Sequence, residues 1–133
     1  MILLDTHALI WLVLGSERLG AAARRRCEEL IRTRGVLVSA ISFWEVAILV
    51  RKNRLQLATS PAAWRDGVLR QGIIEIPIDG MTALEAPALP DFHADPADQL
   101  IVAAAIRNGA TLLTADERIL QWRGQLTRQD ARL

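Results

Sequence analysis

The chain has 133 residues, of which 51% are hydrophobic and 23% charged, and its formal net charge is +1. That is the size and composition of one domain with its own core, not of a disordered tail or a strongly basic nucleic-acid coat protein. Its wholly apolar runs, none longer than Ala8 to Leu14, are far short of the roughly 18 residues that cross a bilayer.

In chain order, Met1 to Leu4 reads as a buried first strand, and Asp5-Thr6 as the start of a helix that Gly15 ends. Leu9, Leu12 and Val13 give this helix a core face. Ile10, Trp11 and Leu14 leave the rest of it apolar as well, the pattern of a helix that is deeply buried or meets a partner. A second helix is predicted over Ala21 to Thr33, with Ala23, Cys27, Leu30 and Ile31 inward and Gly35 closing it. Val36 to Ala40 reads as the second strand. Ser42 is then expected to cap a helix with Phe43, Val46, Ala47 and Val50 at core spacing. Ser60-Pro61 opens a fourth helix, with Trp64 and Val68 on its inner face and Gly72 as its stop. Ile73 to Ile76 reads as the third strand. A short helix over Gly80 to Ala86 and a loop from Pro87 to Ala94 follow it. Asp95-Pro96 starts a long helix to Asn108, Thr111 to Thr114 is the fourth strand, Asp116 opens a short helix, and Leu126-Thr127 is a marginal fifth strand. The alternation predicts one α/β domain over residues 1–133, with a parallel sheet covered on both faces.

Two features bear on the compartment and the ligand. The N-terminus lacks the basic region and the small-residue cleavage site of a signal peptide, and Cys27 stands alone. A lone cysteine excludes an internal disulfide or a Cys-based zinc site and suits a reducing, cytoplasmic setting. Lys52 is the only lysine among sixteen basic residues. Codon bias in a GC-rich genome and bidentate phosphate recognition by arginine both account for that.

Ligands of open parallel sheets gather at the carboxyl ends of the strands. Asp5 follows strand one, Glu45 lies one turn into the helix after strand two, Asp98 sits in the first turn of the helix before strand four, and Asp116 follows strand four. Singly, each has a helix-capping explanation: Asp5 and Asp116 as N-caps, Ser42 to Glu45 as a capping box, and Asp98 as a first-turn acid favoured by the macrodipole. Jointly, they would crowd one pocket, where unneutralised carboxylates repel. A divalent cation resolves that conflict, and an all-oxygen donor set indicates Mg²⁺ or Mn²⁺. The chemistry such a site suits is phosphodiester hydrolysis.

At these residues the chain resembles the PIN-domain ribonucleases, and most closely the VapC toxins of bacterial toxin–antitoxin pairs. The resemblance is carried by Leu3-Leu4-Asp5-Thr6-His7-Ala8-Leu9-Ile10-Trp11, Ser39-Ala40-Ile41-Ser42-Phe43-Trp44-Glu45, His93-Ala94-Asp95-Pro96-Ala97-Asp98 and Leu112-Leu113-Thr114-Ala115-Asp116, in family order and spacing. It implies a three-layer α/β/α PIN fold around four or five parallel strands, and an Mg²⁺-dependent endoribonuclease, with Mn²⁺ as a substitute. By motif position it implies Asp5, Glu45, Asp98 and Asp116 as metal ligands and catalytic residues, with Thr6, Thr114 and Asp95 in support. It further implies RNA as substrate (tRNA or rRNA), arrest of translation, a VapB-type antitoxin and a homodimer. Gln99 departs from the subfamily, which has Arg there. The departure removes the phosphate contact or acid-orienting pair of such an Arg and leaves metal binding intact.

Around these acids, His7 and His93 read as hydrogen-bonding residues, since Mg²⁺ seldom takes imidazole. Trp64 is placed in the core, whereas Ile10, Trp11 and Trp44 are candidates for a partner surface. Arg51-Lys52 with Arg54, and Arg118 with Arg123, are either RNA-backbone contacts or solvated helix ends. Two other functions compete. One is a PIN-fold binding module without catalysis. The other is an acid-pocket phosphatase or phosphotransfer domain, which needs a lysine after a later strand where this sequence has none.

Overall fold

Ile2-Leu3-Leu4 is too short and too uniformly apolar for a helix, and it forms the central strand β1 (Ile2–Leu4) with no exposed surface. The computed structural model describes residues 1–133. Strands β2 (Val36–Ser39), β3 (Ile74–Ile76), β4 (Thr111–Thr114) and β5 (Arg128–Asp130) join β1 in one sheet of order β3-β2-β1-β4-β5. All four pairings are parallel, with Leu3 opposite both Leu37 and Leu112. The expected α/β/α architecture is therefore present with five strands.

Side chains alternate across a strand, so β1 feeds two cores at once. Ile2 and Leu4 pack with Val36, Val38 and Leu113 against helices α1 (Thr6–Leu14), α2 (Ala21–Ile31), α3 (Ala40–Arg51) and α4 (Pro61–Arg70), through Leu9, Cys27, Val46 and Trp64. Leu3 faces the other way. It packs with Leu37 and Leu112 against α6 (Pro96–Arg107) and the short α7 (Glu117–Leu120), through Ile101, Val102, Ala105 and Ile119. Helix α5 (Gly80–Glu85) and one turn of 3-10 helix at Ala86–Ala88 lead into α6. No helix is long and apolar enough to cross a membrane.

Three local expectations change. The third helix starts at Ala40, because the Ser39 hydroxyl, at 3.3 Å, accepts the Ile41 N–H and ends the strand there. Ser42 is thus inside the first turn and buried, and there is no capping box with Glu45. The fifth strand is the polar Arg128–Asp130 rather than Leu126-Thr127, and Leu126 instead packs on the α6 core. Trp11 is in the core at 9% exposure. Gly15 turns the chain after α1 at φ +67°, and the returning segment lays the Arg18 guanidinium 4.7 Å from the Trp11 ring centre. Ile10 is half-buried, whereas Trp44 is 57% exposed.

Candidate active site

In a right-handed β-α-β sheet the helices begin at the edge where the strands end. The strand-to-helix junctions at Asp5, Ser39 and Asp116, together with the start of α6 at Asp95-Pro96, meet on that edge. The buried polar residues collect there: Asp5, Thr6, Ser39, Ser42, Asp98 and Thr114, with only Thr82 elsewhere.

Two threonines organise the acids. Thr114, the last residue of β4, donates its hydroxyl to Asp5 Oδ2 at 2.6 Å and accepts the Asp116 N–H at 3.0 Å. Asp5 Oδ1 meanwhile accepts the Thr6 N–H at 2.8 Å and caps α1. The Thr6 hydroxyl donates to Glu45 Oε1 and lies 2.9 Å from the Ser42 hydroxyl. A hydroxyl has one proton, so Ser42 is the donor in that second bond. Asp95 Oδ1 accepts the Asp98 N–H at 3.1 Å, which caps α6 and fixes the turn that presents Asp98.

The structure gathers the sequence-predicted acids around Asp98: Asp5, Asp95 and Asp116 each act on it, and it acts in turn on Glu45. Burial, reinforced by the charges of Asp5, Asp98 and Asp95, pushes Glu45 up to about 7 against the hydrogen bond from Thr6. Burial also lifts Asp98 to about 6, helped by Asp5, Asp95 and Asp116 and opposed by the contact with His93. At Asp116 burial again acts upward, but the hydrogen bonds and charge of Arg118 outweigh it and leave the carboxyl below its usual range. Arg118 reaches Asp116 Oδ2 at 3.2 Å and Asp98 Oδ2 at 3.4 Å, and is the one arginine paired with the central acids. Its position two residues past Asp116, in the first turn of α7, was visible in the sequence; its reach to Asp98 was not.

The two histidines act as hydrogen-bonding residues. His7 Nε2 accepts the Ala115 N–H at 2.8 Å, which ties α1 to the β4–α7 turn. His93 Nε2 lies 2.7 Å from Asp98 Oδ2, with its ring stacked on Phe92 at 4.2 Å. Gln99 donates to the His93 carbonyl at 3.1 Å, so position 99 supports the loop and touches no acid. Arg51, Lys52, Arg54 and Arg123 are exposed.

The donor set fits a hard divalent cation. It includes two carboxyls that burial, reinforced by the neighbouring acids' charges, holds well above their usual range, and a divalent charge would offset both effects. Asp98, Asp116 and His93 each present a ligand atom within 4.8 Å of the others; Asp5 and Glu45 lie outside that group and act on Asp98 and on each other through their charge.

Comparison with known proteins agrees with this geometry. The family model for the PIN domain matches residues 2–124. Ribonuclease VapC22 of Mycobacterium tuberculosis is 37% identical over 119 residues, which span 89% of this chain and 88% of that protein. Among solved structures, VapBC2 from Rickettsia felis, bound to a DNA fragment from its promoter, superposes with a TM-score of 0.71 at 17% identity, over 97% of this chain and 98% of that one. A toxin–antitoxin complex from Klebsiella pneumoniae superposes with a TM-score of 0.63 at 20% identity, over 96% and 97% of the two chains.

Proposed function

The chain belongs to the PIN-domain family and to its VapC branch, and from that premise we propose that it is a divalent-metal-dependent endoribonuclease toxin. It cleaves phosphodiester bonds of tRNA or rRNA in the cytoplasm, arrests translation, and is neutralised by a VapB-type antitoxin. The observation that carries the reading is the gathering of Asp5, Glu45, Asp98 and Asp116 on one sheet edge, where burial and the neighbouring charges together leave Glu45 near 7 and Asp98 near 6. Helix capping alone explains no such crowding.

Asp5, Glu45, Asp98 and Asp116 hold Mg²⁺, for which Mn²⁺ substitutes. When bound, the ion orients the scissile phosphate, makes an attacking water more acidic and stabilises the leaving oxygen. Thr114 and Thr6 hold Asp5 and Glu45 in the orientation that faces the phosphate, as outer hydrogen bonds do around other metal sites. Arg118 neutralises Asp98 and Asp116 in the free protein, and its exposed guanidinium is free to turn to a phosphate oxygen when a cation takes over that role. The half-buried Ile10 and the exposed Leu14 of α1, with Trp44 of α3, are the apolar surface offered to an antitoxin or to a second copy.

The test is cleavage of total RNA and of structured RNAs by the purified, antitoxin-free protein with Mg²⁺, with Mn²⁺ and with a chelator, beside Asp5→Asn. The substitution keeps the Oδ1 that caps α1, so the fold survives. Discrete fragments that require both the metal and Asp5 are expected. Cleavage that persists in chelator, or in Asp5→Asn, contradicts the assignment.

A further inference from the structure

Beside the acidic centre lies a cavity of about 440 Å³, walled by His93, Arg118, Gln121, Trp122 and Arg123. It is not a separate feature of the surface. His93 and Arg118 each touch Asp98, and Arg118 also touches Asp116, so the cavity opens directly beside the carboxylates.

Three observations describe what it can hold. Its volume is at the lower end of the range for a pocket that takes one small ligand. Its charged wall is cationic: Arg118 and Arg123 line it, with Asp91 as the only carboxylate, and Arg123 is exposed and forms no ion pair or side-chain hydrogen bond. Its floor is aromatic and held in place. Trp122 Nε1 donates to the Pro90 carbonyl at 2.8 Å, the Trp122 ring meets Phe92 edge-on at 5.3 Å, and Phe92 stacks on His93.

The loop that carries Trp122 and Arg123 has no helix or strand of its own, yet it is pinned from beneath. The Arg128 guanidinium donates to the carbonyls of Ile119 at 2.6 Å, Trp122 at 2.7 Å, Gly124 at 2.9 Å and Leu126 at 3.1 Å. These bonds tie the end of α7 to the carbonyls of the loop that follows it and organise the cavity wall before any ligand arrives.

A cationic rim, an aromatic face and room for one small ligand, set against a phosphodiesterase centre, together select a nucleotide. We propose that this cavity takes the single unpaired nucleotide that adjoins the scissile phosphate, with its base against Trp122 and its own phosphate on Arg123. This inference rests on the ribonuclease reading and assigns Trp122 and Arg123 to the nucleotide beside the cut, which must be unpaired because a base reaches an aromatic face only when it is out of a helix.

The test uses a short single-stranded RNA and a blunt duplex of the same composition. Both are titrated in chelator, so that nothing is cut, into wild-type protein carrying ¹⁵N-labelled tryptophan. The Trp122 indole resonance, assigned through Trp122→Phe, shifts saturably with the single strand and stays still with the duplex, while the resonance of the buried Trp64 does not respond. Arg123→Gln, a change on an exposed side chain, lowers the slope of log affinity against log salt by about 0.7. In cleavage with Mg²⁺, Trp122→Leu raises KM by about tenfold and keeps kcat, the loss expected of one base stack. A Trp122 resonance that ignores single strands, with Arg123→Gln and Trp122→Leu both at wild-type KM in a protein that cleaves RNA, overturns the subsite alone. A wild type that neither cuts nor binds RNA overturns the ribonuclease reading and the subsite with it.

Discussion

Leu4 and Asp5 are adjacent in the chain and almost equally hidden from solvent, yet they belong to regions governed by opposite rules. Leu4 has no exposed surface and lies among Val38, Leu113 and Leu9, where burial itself is the stabilising term. Asp5 is 3% exposed and lies among Thr6, Thr114, Glu45 and Asp98, where burial raises the free energy of every charge. The sheet core is satisfied as it stands. The sheet edge is satisfied only in part, by two threonines, one histidine and one arginine, and the remaining imbalance is what the proposed cation would relieve. Substitutions in the two regions therefore have to separate stability from activity.

The largest separation is expected from Asp5→Asn, which lowers RNA cleavage by more than about 100-fold. Its melting temperature stays within a few degrees of the wild type, because the Oδ1 cap of α1 is kept and the loss of one repelling charge offsets the acceptor that the Thr114 hydroxyl loses at Oδ2. Leu4→Ala is the mirror image. It costs about 2–5 kcal/mol of stability in denaturant unfolding, while the fraction that remains folded still cleaves RNA. A Leu4→Ala protein that is as stable as the wild type, or an Asp5→Asn protein that is unfolded, breaks the division between the two regions.

Thr114→Val sits on the boundary. It removes the hydroxyl that ties Asp5 to the Asp116 backbone, so metal affinity or activity falls by about 10–100-fold while the isosteric side chain keeps β4 packed. Thermal unfolding and Mn²⁺ titration on the same sample distinguish this from a packing defect.

A smaller effect appears in the pH dependence of stability without metal. Glu45 rises from 4.5 to about 7 on folding and Asp98 from 3.8 to about 6. The folded state thus holds these protons more tightly than the unfolded chain. The contribution of the pair is complete below pH 4, and it is lost as pH rises through about 6 and 7. Melting temperature in chelator falls by several degrees across that window. Mg²⁺ restores it above about pH 7 and has little effect near pH 4.5, where protons occupy the same oxygens. A Glu45→Gln, Asp98→Asn double variant flattens the chelator profile.

The region that was easy to read in the sequence is the core, and the reasons are physical. Strands one to four are short, apolar and bounded by caps or glycines. The fifth strand was misplaced by two residues because Arg128-Gln129-Asp130 is polar: an edge strand pairs through its backbone, and hydrophobicity does not mark it. The start of α3 was misplaced because Ser42-Phe43-Trp44-Glu45 has the spacing of a capping box, although Ser39 ends the strand and Glu45 is bonded to Thr6 on another helix. The acids themselves were legible from their positions after strands. Arg118 was not assigned to the acid centre, since a long side chain's destination is a tertiary fact. Nor was the burial of Trp11, which depends on the Gly15 turn folding Arg18 back across the ring. Trp11→Ala is accordingly expected to cost stability, about 3–5 kcal/mol, as a core truncation.

The account turns on whether the crowded carboxylates are a cation site, and calorimetric titration of Mn²⁺ into the RNA-free protein measures that most directly. Near pH 6.5, between the values for Asp98 and Glu45, in two buffers of different ionisation enthalpy, saturable binding with net proton release is predicted, because Glu45 and Asp98 must give up their protons to the ion. Asp98→Asn should bind far more weakly and release fewer protons. A wild type that takes up no Mn²⁺, or an Asp98→Asn protein that binds it with unchanged affinity and proton release, contradicts the account.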